Sequence, residues 1–449
     1  MTHNVSPSVA ILGGGATGVL MALQLLRDPA ADGRVTLIDA SPAPGRGLAY
    51  STPDLCHVLN VVPGNMSAFP DDPDHFWRWL EARGLVTGPD RFVFVPRRWY
   101  GDYLGDLLAT VRDDRLTVVP ATAIGVGVGP DSVEIALDTG AHLRATHVIL
   151  ALGHDHRTAR FGGLAIQPGS RADTPLDPDA PVLILGSGLS MIDAWLSLEA
   201  AGHRGPVTVI SRHGLLPHRH RPAEKRALET VPLGTSALAL SRWLRATVRR
   251  TGGNWRIVLD ALRPHTQRIW QGWSERSRRS FLAHLRPYWA IHRHRLPEPI
   301  ADRFEAAVAA GRIRVEAARL LRIEAHENDV LAHLRMRGGG VETREVARVF
   351  DCGGLAVDVA ESANPALRDL VASGHARPDP LHIGLDVTAS LAVIAGDGTP
   401  AARLFALGPL TRGRFFEIEA IPDIRVQAAA LSQRILNAQT ARTSARTLG

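Results

Sequence analysis

Length, composition and charge already exclude several classes of protein. The 449 residues suffice for two to four domains, and 45% of them are hydrophobic and 21% charged, as expected of a globular chain with a net charge of +6. No apolar run approaches the roughly 18 residues of a membrane span and no secretory signal is visible, so we expect a cytoplasmic protein without a membrane partner.

The first element is an apolar run that ends in a glycine-rich turn. Residues 9–18 read VAILGGGATG, with Gly13, Gly15 and Gly18 at G-x-G-x-x-G spacing, and residues 17–27 have helical apolar spacing. In a dinucleotide site the first glycine allows the tight turn, the second admits the pyrophosphate and the third lets helix and strand pack closely. We therefore predict a parallel strand, a phosphate-binding turn and a helix.

The start of that helix and the next strand complete the predicted site. The backbone N–H groups of Ala16 and Thr17 lie at the positive end of the helix, where phosphate binds. A second apolar run, Arg34–Ile38, ends at Asp39, twenty-one residues after Gly18. An acid at this position is expected to bind a ribose hydroxyl. This pattern alone does not distinguish NAD from FAD.

A long connection follows, and then a series of short strands. Residues 45–115 are rich in glycine and proline near their start and contain two predicted helices, at 71–83 and 98–111, so we interpret them as a functional insertion. Residues 116–150 alternate as strands and turns. They end in the pattern T-x-x-x-h-h-A-x-G, which closes at Gly153 and is typical of the flavin domain of flavoproteins with two nucleotide domains, although a plain core strand would look similar.

A second nucleotide unit begins near residue 181. The run PVLILGSGLSM contains Gly186 and Gly188, while Met191 stands at the third glycine position and predicts looser packing of helix on strand. The next strand ends in Ser211 and Arg212 instead of an acid. A hydroxyl and a guanidinium suit a 2′-phosphate, so we expect NADPH rather than NADH.

Residues 222–310 predict a helical insertion with five tryptophans. Residues 242–295 hold thirteen arginines and two acids, which gives +11 locally and leaves −5 for the remainder of the chain. Such a stretch suits nucleic acid, an arginine-rich helix face, or attraction of an anionic cofactor or substrate. No nucleic-acid-binding motif accompanies it, so we do not expect that partner. The cluster 292–295 (HRHR) reads either as a solvated turn or as an anion site.

The last hundred residues predict a return to the first domain. A strand at 404–407 leads to Gly408 and Pro409, and a helix begins near Ile421, where Pro422 suits the first turn. The start of this helix forms an anion-stabilising end, which in two-domain flavoproteins faces the flavin pyrimidine. The tail at 441–449 is expected to fray.

Four further strings carry a family resemblance. They are GxGLAY (45–50), HxLNV (57–61), FPDDPxHF (69–76) and YWxxHRHR (288–295). With the two glycine turns, they resemble a bacterial FAD/NAD(P)-binding flavoprotein family that is distantly similar to the lysine and ornithine N-monooxygenases. The resemblance implies an α/β fold of two Rossmann-like dinucleotide-binding domains of the three-layer ββα type with a helical insertion. The FAD domain would span 1–155 and 351–440, and the NAD(P) domain 176–350.

The same resemblance implies residue roles. FAD would lie on Gly13, Gly15, Gly18 and Asp39, with Arg46, Gly153, Gly408 and Ile421 near it and NADPH on the second turn. Asn60, within HxLNV, is the candidate catalytic side chain beside the isoalloxazine, although a loop asparagine equally often bonds to backbone. The Baeyer–Villiger fingerprint is absent.

The resulting hypothesis is an NADPH-dependent flavin monooxygenase. NADPH would reduce FAD, oxygen would add at C4a, and the hydroperoxyflavin would hydroxylate a nucleophile, most plausibly the nitrogen of a small amine or amino acid. Two alternatives stay open: an oxidoreductase that passes electrons without oxygen insertion, and a flavin-bearing sensor or partner-binding protein. The two cysteines, Cys56 and Cys352, form no C-x-x-C, which argues against a dithiol relay and against a metal site.

Overall fold

The computed structural model describes residues 8–28, 33–111, 114–154, 161, 163–167, 175–222, 227–228, 230–354 and 358–447. Its first elements are β1 (Ser8–Leu12), α1 (Ala16–Leu26), β2 (Arg34–Ile38), α2 (Gly47–Tyr50), α3 (His75–Ala82), α4 (Arg97–Thr110), β3 (Leu116–Val119), β4 (Ala123–Val128), β5 (Val133–Leu137), β6 (His142–Ala145) and β7 (His147–Leu150).

The middle of the chain holds a second sheet and a group of helices. Its elements are β8 (Ala165–Ile166), β9 (Val182–Leu185), α5 (Leu189–Ala200), β10 (Val207–Ser211), α6 (Ala237–Arg250), α7 (Trp255–Leu262), α8 (Thr266–Gly272), α9 (Glu275–Ser280), α10 (Arg286–Arg293), α11 (Glu298–Ala309), β11 (Ile313–His326), β12 (Asp329–Met336), β13 (Val341–Val346) and β14 (Arg348–Asp351). The final elements are α12 (Pro365–Ala372), β15 (Ala392–Ile394), β16 (Pro400–Ala406) and α13 (Ile421–Thr447).

The first sheet has the order β15-β16-β7-β1-β2-β3, and all neighbours except β15 and β16 are parallel. β1 is buried from Val9 to Leu12 because both faces of a parallel sheet are covered. Helices α1, α4 and α13 pack on one face. The antiparallel sheet β4-β5-β6 and helix α12 pack on the other. This is the three-layer ββα arrangement that the sequence predicts, with β16 returning to the first sheet.

The second sheet has the order β13-β12-β11-β10-β9-β14-β8. Strand β11 pairs in parallel with β10 over residues 313–317 and then, from Ala318 onward, antiparallel with β12. Helices α5 and α11 cover one face, where Trp195 and Phe304 meet edge to face at 5.3 Å. The predicted fold class of two Rossmann-like domains with a helical insertion is confirmed.

Two local expectations differ from the structure. Helix α3 begins at His75, four residues after the predicted start, because Pro73 disfavours helical geometry in the residue before it. The tail predicted to fray is helical to Thr447. Packing of the buried residues 424–435 anchors α13, and a helix that is already nucleated extends at little cost. None of the helices in the described ranges is both long and apolar enough to cross a membrane.

Side chains of the first insertion fasten the two domains together. The Arg97 guanidinium pairs with the Asp193 carboxylate of α5 at 2.9 Å, and the His57 ring lies 2.9 Å from the Ser197 hydroxyl. Burial raises the pKa of Asp193, and the charge of Arg97 opposes that rise. The domains are therefore held by buried polar contacts as well as by apolar packing.

His220 of the second domain packs against the first insertion at this interface. Its ring packs against Phe92 and Phe94 at 5.4 and 5.1 Å, and burial, with the charge of Arg295, lowers its pKa from 6.5 to about 4. A depressed histidine pKa stabilises the fold above pH 6.5, and this stability is lost as the pH falls toward 4.

We expect the His220→Phe variant to lose less stability between pH 7 and pH 5 than the unmodified protein. Urea midpoints at the two pH values measure this, with His142→Phe on the exposed edge of β6 as the control. Equal losses in all three proteins would exclude His220 as the titrating group.

Candidate active site

The first glycine turn (residues 13–18) joins β1 to α1 and needs glycine at two points. Gly13 has φ +103°, and a Cβ there would lie 2.5 Å from the carbonyl oxygen of Ala151, just after β7. A Cβ on Gly18 would lie 1.9 Å from the carbonyl oxygen of Gly13. These two glycines are therefore required by the packing of the protein itself.

Gly15 is different, because its surroundings leave room. It precedes α1 in extended conformation, and no side chain caps the helix in the described structure. Among the described residues a Cβ would meet only the backbone of Gly47, with Cα at 3.4 Å. The N–H groups of Ala16 and Thr17 belong to the first helical turn, whose donors lack helical acceptors and favour an anion. This geometry fits a pyrophosphate in the predicted position.

Asp39 supports the turn from the end of β2. Its two carboxylate oxygens accept hydrogen bonds from the backbone N–H groups of Gly14 at 2.5 Å and Ser41 at 2.7 Å. Each carboxylate oxygen has a second lone pair, so a ribose hydroxyl can still be accommodated. The structure gives Asp39 a positioning role that the sequence pattern does not reveal, and the ribose contact stays a prediction.

Arg46 lies beside the same turn. Gly45 donates its N–H to the Gly14 carbonyl at 2.7 Å, which docks the insertion on the turn. The Arg46 guanidinium pairs with Asp102 of α4 at 2.7 Å. If Arg46 contacts the cofactor as predicted, its guanidinium must bind phosphate either together with Asp102 or in place of Asp102.

Gly408 connects α1 with the start of α13. It has φ +68°, and a Cβ there would lie 2.9 Å from the Thr17 side chain. Its N–H donates to Gln427 of α13 at 2.8 Å.

Ile421 begins α13 with its side chain in the core. Gly153, with φ +67°, lines a small cavity together with Pro409, the next residue after Gly408.

Asn60 is not brought against either glycine turn by any contact among the described residues. The preceding Leu59 donates its N–H to Val95 at 2.8 Å. The half-exposed Asn60 amide has no hydrogen bond within the described part of the chain, so it is available to a ligand. Its assignment as a catalytic residue stays a prediction.

The second glycine turn (residues 186–191) opens into a cavity of about 860 Å³, here called the nucleotide cavity. Gly186 has φ +95°, and a Cβ there would lie 2.3 Å from the Cys352 carbonyl oxygen. A Cβ on Gly188 would have no neighbour within 4 Å, and no side chain caps α5. Met191 is fully buried between α5 and the sheet. The free start of α5 therefore faces open space, as a phosphate site requires.

Three arginines line the nucleotide cavity. Their guanidinium groups form no hydrogen bond or ion pair within the described structure. They are Arg212 after β10, Arg286 at the start of α10 and Arg319 on β11. Burial, Arg412 and Arg212 lower the pKa of the Arg286 guanidinium, so positive charge is concentrated here. Ser211 shapes the turn instead, because its hydroxyl accepts from Ser187 at 2.9 Å and from the Gly214 N–H at 3.0 Å.

Replacement of Arg212 by alanine tests the predicted 2′-phosphate contact. Loss of charge-assisted hydrogen bonds should raise KM for NADPH about 10- to 100-fold and leave KM for NADH nearly unchanged. Steady-state kinetics with both coenzymes measure this, with Arg314→Ala on the exposed part of β11 as the control. An equal change for the two coenzymes would refute the assignment.

A charged cluster lies where the first domain meets the helical insertion. Arg412 pairs with Glu419 at 2.6 Å, and His154, just after Gly153, is close enough for its charge to affect Glu419. Burial would raise the pKa of Glu419, but the charges of Arg412, the histidines 154 and 294, and Arg286 lower it overall. Burial lowers the pKa of His154, whose Nδ1 is buried without a hydrogen-bond partner among the described residues. The cluster thus combines one carboxylate with excess positive charge.

Glu417 joins the loop before α13 to the insertion. It has φ +64°, a left-handed conformation that is costly for a residue with a Cβ. Its carboxylate accepts from the Trp289 indole at 2.6 Å and from the Arg293 guanidinium at 3.1 Å. These two contacts from α10 hold the strained residue in place, so α10 helps to set the geometry beside the start of α13.

Sequence reasoning did not identify Arg286, Arg412, Glu419 or His154 as site residues. A signal was available in the string FFEIEAIP, where two acids interrupt an apolar run directly before a helix. The side chains of the basic cluster 292–295 have different contacts. Arg293 pairs with Glu417 and Arg295 pairs with Asp260, whereas His294 lines the nucleotide cavity.

One group of side chains with metal-ligand atoms close together occurs in the described ranges: Asp54, Cys56 and His57, within 4.8 Å of one another. Both ring nitrogens of His57 are already engaged, with the Thr52 hydroxyl at 2.7 Å and the Ser197 hydroxyl at 2.9 Å. The group therefore reads as part of the contact between domains.

A family model matches part of the chain. Residues 10–155 match a model described as FAD-NAD(P)-binding. No curated protein sequence matches the chain.

Solved structures share the fold of nearly the whole chain, the matched segment included. An ornithine N-hydroxylase from Kutzneria sp. 744, in a structure with reduced FAD, NADP+ and L-ornithine, is 13% identical with a TM-score of 0.68, covering 97% of this chain and 99% of its own. The Pseudomonas aeruginosa ornithine hydroxylase is 14% identical with a TM-score of 0.66, covering 96% and 99%. A bacillithiol disulfide reductase from Bacillus cereus is 15% identical with a TM-score of 0.56, covering 96% and 99%. The resemblance drawn from the motifs is confirmed at the level of fold and first domain.

Proposed function

We propose that this protein is an FAD-dependent, NADPH-using monooxygenase that hydroxylates the amine nitrogen of a small molecule. The observation that carries the proposal is the pair of uncapped helix starts, each following a glycine turn, in one chain. The second of them faces a cavity lined by three arginines that have no ion-pair partner in the described part of the chain. The similarity in fold to ornithine hydroxylases favours oxygen insertion over other flavin chemistry.

The residues of the chain would bind, orient and shield the reactants. FAD supplies the hydride acceptor and the oxygen chemistry when it is bound. The start of α1 would hold its pyrophosphate, and the start of α5 with Arg212 and Arg286 would hold NADPH. No strong side-chain base is needed for this reaction, which agrees with a site built from glycine turns and ion pairs.

The charged cluster at Arg412 and Glu419 would keep the amine in its reactive form. The positive charges of Arg412 and Arg286 exceed the single negative charge of Glu419, which disfavours a cationic ammonium and so favours the neutral amine. The nucleophile must be neutral, so the rate should rise with pH toward the pKa of the substrate amine.

An oxidoreductase without oxygen insertion is the second candidate, since a disulfide reductase shares the fold at a TM-score of 0.56. The cysteines weigh against a dithiol route. Both Cys56 and Cys352 are free, and burial raises the pKa of the Cys352 thiol far above its usual range. A non-enzymatic flavin-bearing sensor would show negligible NADPH oxidation.

Incubation with NADPH, ¹⁸O₂ and a panel of small amines tests the proposal. We expect a hydroxylated amine that carries one ¹⁸O atom, detected by mass spectrometry. NADPH oxidation that yields only hydrogen peroxide across the whole panel would refute oxygen insertion, and absence of NADPH oxidation would favour the sensor.

A further inference from the structure

The helical insertion encloses a second cavity, of about 670 Å³, here called the insertion cavity. Its walls come from α6, α7, α8, α10 and the loop before α13, and its lining is mostly apolar. Seven aromatic side chains line it: Trp255, Trp270, Trp273, Phe281, Tyr288, Trp289 and Phe416. A space of this size and lining suits the apolar body of a small molecule.

Helix α10 separates the insertion cavity from the nucleotide cavity. Its residues Tyr288 and Trp289 line the insertion cavity, whereas Arg286 and Ala290 line the nucleotide cavity. Phe416, on another wall of the insertion cavity, directly precedes Glu417. The insertion cavity therefore adjoins the loop that leads to Glu419 and the start of α13.

The charge on the walls of the insertion cavity has one sign. Arg245 and Arg249, one turn apart on α6, line it and are exposed, with no hydrogen bond or ion pair in the described structure. Among the described residues that line the cavity, none is an aspartate or a glutamate. Because the other walls are apolar, these two guanidinium groups would complement an anionic group on a bound molecule.

We propose that the insertion cavity binds the apolar body of the substrate, an amphipathic amine-bearing molecule whose anionic group faces Arg245 and Arg249. That the bound molecule is the substrate rests on the proposed function, whereas binding itself requires no turnover. Burial of each methylene stabilises a complex by about 0.8 kcal/mol, so affinity should rise about fourfold per methylene until the cavity is filled.

Calorimetric titration of the FAD-loaded protein with saturated fatty acids tests the binding step. Affinity should increase from hexanoate to dodecanoate, and dodecanoate should bind at least tenfold more tightly than dodecylamine. Equal binding of the anion and the amine, or no dependence on chain length, would overturn the proposal.

Matched variants locate the site. Leu244→Trp fills the insertion cavity and should weaken dodecanoate binding at least tenfold, whereas Leu238→Trp on the exposed face of α6 should not. Arg245→Gln with Arg249→Gln should abolish the preference for the anion, and Arg242→Gln with Arg250→Gln should retain it. Circular dichroism and flavin content establish that each variant is folded. Unchanged binding in Leu244→Trp would overturn the location.

The two proposals fail separately. If dodecanoate binds but no amine is hydroxylated, the binding site is supported and the monooxygenase activity is refuted. Hydroxylation of small amines by a protein that binds no amphipathic anion refutes the substrate class and leaves the monooxygenase standing.

Discussion

Alanine at position 15 should weaken FAD binding, and alanine at position 188 should weaken NADPH binding, each without disturbing the other nucleotide. Among the described residues, a Cβ at Gly15 would meet only the backbone of Gly47, with Cα at 3.4 Å, and a Cβ at Gly188 would meet nothing within 4 Å. Both methyl groups would occupy the space predicted for phosphate. Loss of hydrogen bonds to a charged group should lower each affinity roughly 10- to 100-fold.

Gly18→Ala is the contrasting variant. Its Cβ would overlap the Gly13 carbonyl oxygen at 1.9 Å, so we expect a loss of several kcal/mol in the free energy of unfolding, of the order seen for strained or overpacked sites. Flavin content after desalting, NADPH titration and urea unfolding separate the three variants. If Gly188→Ala lost FAD as readily as NADPH, the assignment of one nucleotide to each turn would be wrong.

Glu419→Gln should destabilise the protein by about 2–3 kcal/mol, because Arg412 would lose its carboxylate partner while it stays buried near Arg286. The side chains of Arg412 and Glu419 are 10% and 34% exposed. The expected loss therefore lies toward the lower end of the free-energy range for breaking a buried ion pair. In the double variant with Arg412→Met, both charges of the pair are removed, so the loss should be smaller than the sum of the single losses.

Urea unfolding of the single and double variants measures this coupling. Asp179→Asn provides the control, since the Asp179–Arg204 pair is exposed on both sides and its removal should change nothing measurable. Additive losses in the double variant would show that Arg412 and Glu419 do not act as a pair.

Local sequence signals predict the parts of the site that are built within one βαβ unit. The strand at Arg34–Ile38 and the start of α13 at Ile421 appear where the sequence predicts them. Glycine spacing has a local physical cause, since Gly13, Gly18 and Gly186 each avoid a clash with neighbouring backbone. Alternating and helical periodicity likewise reflect burial on one face.

The remaining parts depend on contacts between distant segments, which no local pattern encodes. Arg286 meets the second glycine turn only because α10 of the insertion folds over the nucleotide cavity. Arg412 and Glu419 read in the sequence as separate loop charges, although they form a half-buried pair. Asp39 was predicted as a ribose ligand, yet its contacts with Gly14 and Ser41 depend on the fold of the turn.

Anaerobic addition of NADPH to the purified protein tests the central claim, that one chain holds FAD and NADPH in two separate phosphate sites. We expect a yellow protein whose flavin absorbance is bleached by NADPH at least tenfold more efficiently than by NADH, with Arg212→Ala removing that preference. A colourless protein that does not take up added FAD would contradict it.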